Sequence, residues 1–226
     1  MKKKALFSLF LLLSLLMVGC GSPFNVKQLG KADIDFVADS HRKAVEEGLY
    51  DMMVKLYQRN PRELQKQLEP TIDAQVNRLK ASLANGAPLL IDGREGVELL
   101  NHAFNEYYEG DRVFTLVGGL LSMIHKSYGY HTEFFLFDKL DEQKLYNSAR
   151  NIEIFSWRLR TETDTRGELL LLSTELNGPE INLSFERLVA KLISMQDMMA
   201  LIAADQNRRT VNSVAHSVAQ AVFVPL

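Results

Sequence analysis

Val113-Phe114-Thr115-Leu116-Val117-Gly118-Gly119-Leu120-Leu121-Ser122-Met123-Ile124 is the longest apolar run in the body of the chain. A helix needs about 20 residues to cross a bilayer, so these 12 read as a helix buried among others rather than a membrane span. Gly118-Gly119 weakens helix propensity, which predicts either close approach of a neighbouring helix or a kink. Ser122, within this run, is expected to satisfy its hydroxyl on a backbone carbonyl.

Helical spacing continues on both sides of the run. Upstream, Ile72, Val76, Leu79 and Leu83 recur at steps of four, three and four, with Asn85-Gly86 as a C-terminal stop. Asp92 with Glu95 resembles a capping pair before Val97, Leu100, Phe104 and Tyr107, and Gly110-Asp111 separates that helix from the apolar one. Nearer the N-terminus, Ile34, Val37, Ala38, His41, Ala44 and Val45 form one apolar face. Gly48 is expected to turn the chain into a second helix over Leu49 to Asn60, and Pro61 to open a third through Leu68. Of the acidic residues Asp33, Asp35 and Asp39, the last two are expected to share one solvated face.

Downstream, Phe134-Phe135-Leu136-Phe137 reads as a short strand or a buried loop, and Leu145, Ala149, Ile152, Phe155 and Leu159 restore helical spacing. Asp138, Asp141 and Glu142 stand at the start of that helix, where negative charge is favoured. After a polar loop from Thr161 to Gly167, Glu168 to Leu176 is a second strand candidate. Asn177-Gly178-Pro179 is turn chemistry. Phe185, Leu188, Val189, Leu192, Ile193, Gln196, Met199 and Ile202 make another helix, Asn207-Arg208-Arg209 interrupts, and a last helix is expected through Val222, ended by Pro225. Met195, Met198 and Met199 read as core gap-fillers rather than a binding groove. The expected fold is mainly α, an irregular multi-helix bundle of helical hairpins, with room for one short two-stranded β element near 133-137 and 168-175.

At the N-terminus, Lys2, Lys3 and Lys4 precede an apolar stretch from Ala5 to Val18, too short for a span but suited to a signal peptide. Met17-Val18-Gly19-Cys20 follows and resembles the lipobox of bacterial lipoproteins, which implies cleavage before Cys20 and a lipid anchor on its thiol. Cys20 is the chain's single cysteine, so no disulfide is available. Gly21-Ser22 follows it, and the family's inner-membrane retention signal, an Asp after the cysteine, is absent. The resemblance implies residence on the outer membrane of a two-membrane bacterium, facing the periplasm. The expected organisation is a signal peptide over 1-19, a lipidated tether over 20-31 and one helical domain over 32-226.

The 26 basic residues less the three leader lysines leave 23 against 28 acidic ones, which argues against nucleic acid as a partner. Catalysis has no sequence signature here: GxSxG, Walker, GxGxxG and HExxH patterns are all missing. His125, His131 and Glu133 are close in sequence but match no standard zinc spacing, so neither metal nor cofactor is expected. His125 is expected to complement a helix C-terminus. Tyr107, Tyr108, Tyr128, Tyr130, Phe134, Phe135 and Phe137 gather around the apolar helix and offer the lining of a small apolar cavity, or simply core. Trp157, among charged neighbours, is expected to be partly exposed.

Gly48-Leu49-Tyr50 with Tyr57 resembles part of a tetratricopeptide hairpin. Asp111-Arg112-Val113-Phe114, Val117-Gly118-Gly119-Leu120 and Val222-Phe223-Val224-Pro225-Leu226 together resemble a group of proteobacterial lipoproteins, which implies no activity. The functional expectation is a non-enzymatic protein-interaction or adaptor module of the envelope, held to the membrane by lipid on Cys20 and meeting other cell-envelope proteins. The alternative is a periplasmic carrier or sensor of a small apolar or lipid-like ligand.

Overall fold

The computed structural model of the protein describes residues 33–135, 138–174, 182–208 and 210–226. These contain eight helices: α1 (Asp33–Arg59), α2 (Pro61–Leu64), α3 (Ile72–Leu83), α4 (Gly96–Ala103), α5 (Arg112–Ser127), α6 (Glu142–Thr161), α7 (Ser184–Asn207) and α8 (Ala215–Ala219). No helix among the described residues is long and apolar enough to cross a membrane. The expected mainly α bundle is what forms. The expected leader, the expected lipidation at Cys20 and the expected turn at 177-179 fall outside the described residues.

The apolar run is the hub. Every residue of α5 except Lys126 is buried, and α1, α4 and α6 pack along it. Asp111 caps its start: the Phe114 amide donates to Oδ1 at 3.0 Å, while Tyr57 Oη and Gln67 Nε2 donate to Oδ2 at 2.6 and 2.9 Å, tying α1 to the hub. The helix runs unbroken through the glycine pair. A Cβ on Gly119 would lie 2.9 Å from Leu100 Cδ2 and 3.2 Å from the Gly96 carbonyl, so α4 rests directly on the α5 backbone there. Ser122 Oγ is buried without a hydrogen-bond partner, contrary to the expected carbonyl bond.

α1 corrects the reading of Gly48. The helix runs through that residue unbroken for 27 residues, and the missing Cβ instead admits α7, whose Leu192 Cδ2 would lie 2.8 Å from it. The expected first and second helices are therefore one, and the third stops at Leu64. Asp35 and Asp39 are buried rather than solvated, because the segment after α5 folds across the start of α1 and the Phe134 amide donates to Asp39 at 3.1 Å. That contact draws Phe134, at one end of the expected β element, onto α1. Among the described residues, bridges join Ile91 to Arg94 and Thr163 to Leu169, Asn182 also stands in a bridge, and Phe134 meets α1 through Asp39. Residues 136, 137 and 175 lie outside the described residues.

Near α4 the capping expectation also fails. Glu95 occupies the N-cap position without a side-chain cap, and its carboxylate instead accepts from Lys126 Nζ at 3.0 Å and Tyr130 Oη at 2.8 Å. The acidic start of α6 behaves as expected, since Asp141 Oδ1 caps the Gln143 and Lys144 amides, each at 3.0 Å. α6 and α7 pair antiparallel: Glu142 accepts from Asn207 at 2.7 Å, Arg150 meets Asp197 at 2.6 Å and Arg160 meets Glu186 at 3.5 Å. Met199 is buried in this pair, whereas Met198 is half-exposed, and Trp157 is 49% exposed as the charged neighbours predicted. The last helix stops at Ala219, well short of Val222, because Ala221 turns to φ 52.

Candidate functional site

Asparagine is a poor helix former and is costly to bury unless its amide is bonded. α6 nevertheless buries two of them on one stripe: Gln143, Asn147 and Asn151 stand four residues apart, with Asn147 8% and Asn151 0% exposed. Their partner is an extended piece of chain. Asn151 Nδ2 donates to the Val224 carbonyl at 2.8 Å and the Val224 amide donates to Asn151 Oδ1 at 2.6 Å. One amide side chain thus satisfies both backbone groups of one residue, as a neighbouring strand would.

The rungs on either side extend the arrangement. Asn147 Nδ2 donates to the Pro225 carbonyl at 3.0 Å, and Pro225 brings no amide that would need an acceptor. Gln143 Nε2 donates to Asn147 Oδ1 at 2.8 Å and orients that rung. Gln143 also holds Asn212 by both backbone groups, donating to its carbonyl at 3.1 Å and accepting its amide at 2.6 Å. From Val224 to Pro225 the segment therefore runs antiparallel to α6, while Asn212, on the other side of α8, is held at the Gln143 end.

Two side chains of the segment are seated. Phe223 and Val224 are buried, while Val222 is 56% exposed. Phe223 stacks on Phe104 at a centroid distance of 6.3 Å, and the Arg158 guanidinium lies 4.4 Å from the Phe104 ring centre and 5.2 Å from that of Phe223. Arg158 is itself fixed, donating to Glu162 and Asn101 at 2.8 Å each. The groove thus combines an amide ladder, which reads backbone, with one aromatic seat.

A second polar cluster lies between α1 and α5. His125 Nε2 is 3.0 Å from Glu46 Oε1, at ion-pair distance but without hydrogen-bond alignment, and Arg42 donates to the same oxygen and to the Thr132 carbonyl at 2.7 Å. Burial pushes the Glu46 carboxyl up, but His125 and Arg42 outweigh it and hold it below the ordinary carboxylate range. Burial keeps the nearby Tyr128 phenol protonated well above its usual range. These groups tie two core helices together.

A cleft of about 790 Å³ lies beside Asn60, lined in part by Glu63, Lys66, Arg112, Asp164 and Arg166. Several of its charged groups are engaged by neighbours within the chain. Lys66 pairs with Glu63 at 2.9 Å, Arg166 pairs with Asp164 at 2.8 Å, and Arg112 donates to the carbonyls of Ala103, Asn105 and Tyr108.

The aromatic residues singled out from sequence do not meet at one cavity. Tyr107 is 76% exposed and Tyr108 bonds Thr115 at 2.6 Å, both at the start of α5. Tyr128 and Phe134 pack edge to face at 5.9 Å beyond its other end, about 24 Å away at helical rise, where Tyr130 bonds Glu95. Phe135 is 37% exposed, and Phe137 lies outside the described residues. His125 and His131 also separate: His131 lies against Phe134 and 3.9 Å from Asp138, and no metal-holding group of three His, Cys, Asp or Glu occurs among the described residues. His125 does sit in the last turn of α5, with Glu46 as its charged partner.

Sequence reading missed the ladder because it followed Leu145, Ala149 and Ile152 along α6 and passed over the amides between them. The available signal was three amide residues at a step of four inside an amphipathic helix. No known protein family, characterised protein or solved structure matches the chain.

Proposed function

We propose that this chain is a lipid-anchored, non-enzymatic envelope lipoprotein whose domain engages other envelope proteins by holding an extended protein segment along α6. The observation that carries the reading is the two-bond pairing of Asn151 with the backbone of Val224. Backbone recognition of extended chain supplies affinity with little sequence demand, and side-chain seats add selectivity. The Phe104–Arg158 seat is such a selector. Lipid on Cys20 would confine the domain to a membrane, the outer one in this reading, and raise its effective concentration toward neighbours.

The test is photo-crosslinking in native membranes from a reactive residue placed at Val222, which is exposed beside the ladder. The expected result is a crosslink to another envelope protein that disappears in Asn151→Leu and weakens in Cys20→Ser. Crosslinks unchanged by Asn151→Leu would overturn the ladder as the contact. A co-purifying lipid or apolar metabolite with no protein crosslink would replace this reading by the carrier.

A further inference from the structure

The ladder is filled by a segment of its own chain, and the connection that delivers the segment is strained. Arg208 ends α7 at φ 54 and ψ 43, the left-handed conformation in which glycine is the usual residue. Ala221, two residues before the seated Phe223, adopts φ 52. A side chain at such angles places Cβ against the backbone, so both non-glycine residues store strain. The segment between them is held to α6 by the Asn212 rung and by contacts of α8.

Resting on the reading of the ladder as a backbone reader, we propose that the partner segment is that of a second copy of this chain: residues 210–226 exchange reciprocally between two copies. Arg208 is the hinge. When it relaxes to a helical or extended conformation, the following segment projects away from its own α6 and reaches that of a neighbour. Every contact of the closed form is then remade between chains: Asn151 with Val224, Asn147 with Pro225, Gln143 with Asn212, and Phe223 on Phe104 under Arg158.

Because the contacts are the same in both forms, the balance depends on two other quantities. Relief of hinge strain in both chains favours exchange, and the loss of free translation on association opposes it. Strained hinges are where swapping arises, and the product has a two-fold axis with identical contacts on each side. The tethered segment has an effective concentration of the order of mM, so the closed monomer dominates in dilute solution. Crowding of copies on a surface shifts the balance toward the dimer.

The experiment uses the full chain in density-matched detergent, by analytical ultracentrifugation, with Arg208→Gly and Arg208→Val as the diagnostic pair. Glycine removes the strain of the closed form and is expected to weaken the dimer by about an order of magnitude; valine, β-branched and poorly tolerated at positive φ, is expected to strengthen it. A second measurement mixes Asn151→Leu, which keeps a sound segment but has a broken ladder, with Phe223→Asp, which keeps a sound ladder. Neither alone is expected to dimerise through the segment, whereas the mixture regains one intact pairing and forms a heterodimer after brief opening in mild denaturant. A dimer indifferent to both Arg208 substitutions, or no heterodimer from the mixture, overturns the exchange.

A labelled synthetic peptide with the sequence of residues 210–226, titrated into the Phe223→Asp chain, separates the two readings. Peptide binding without heterodimer formation overturns exchange and leaves the ladder as a reader of other proteins. No peptide binding, with helicity unchanged by circular dichroism, overturns both.

Discussion

Asn60 and Asn151 do the same thing in different surroundings. Each donates to the carbonyl and accepts the amide of one residue: Leu172 at 2.8 and 2.8 Å for Asn60, which also donates to the Leu56 carbonyl at 2.8 Å, and Val224 at 2.8 and 2.6 Å for Asn151. Leu172 is 47% exposed and its clamp opens onto the polar cleft, so water can replace either bond. Val224 is buried, its clamp is flanked by further rungs, and no water competes. The same two bonds therefore do different work. At Leu172 they guide a loop; at Val224 they are what makes burial of an extended segment tolerable, since unpaired buried backbone groups are expensive.

The largest effect is expected at the buried clamp. Asn151→Leu leaves the amide and carbonyl of Val224 without partners, at about 1–3 kcal/mol for each group, and the segment should detach rather than remain buried unpaired. Hydrogen exchange should show loss of protection at Val224 together with a fall of about 3 kcal/mol in stability to denaturant. Retained protection at Val224 would mean that the Phe223 seat alone holds the segment, and the contrast between the two clamps would collapse.

Asn60→Ala tests the other side. With water available to Leu172, the expected loss is about 1 kcal/mol, the net value of ordinary hydrogen bonds. Limited proteolysis should show faster cleavage within 164–172, while Val224 protection stays as in the parent chain. A loss as large as that of Asn151→Leu would show that exposure does not separate the two.

Both clamps illustrate what the sequence could and could not disclose. α5, α6 and most of α7 were readable because apolar spacing is a local signal, and the bundle follows from such faces having to meet. Gly48 misled because glycine serves turns and close helix contacts alike, and only the position of Leu192 decides between them. Asp39 looked solvated because its partner, the Phe134 amide, comes from the far side of α5. The ladder was half legible: the amide stripe is in the sequence of α6, but the segment that fills it lies 73 residues away at the Asn151 rung. An extended segment without alternating polarity carries no pattern that names its partner.

The smallest expected effect sharpens the comparison by charge. Amides do not titrate, so occupancy of the ladder should not change between about pH 5 and 8. The tie between α1 and α5 does titrate. Glu46, held below its ordinary 4.5 by His125 and Arg42 against the opposing push of burial, adds stability above that value and loses it as pH falls through its folded-state pKa. Asp111 acts with the opposite sign. Burial raises its carboxyl above the ordinary 3.8 despite bonds from Phe114, Tyr57 and Gln67, so its contribution is full below 3.8 and is lost as pH rises through the folded value. The two partly cancel, and the parent chain should lose little stability on mild acidification. Glu46→Gln removes one side of that balance, so its denaturation midpoint should fall less than that of the parent on the acid limb, while Asp111→Asn should fall more. Val224 exchange protection measured in the same titration should stay flat until global unfolding. A drop in that protection at the pH where Glu46 titrates would show that the ladder and the charged tie are one cooperative unit.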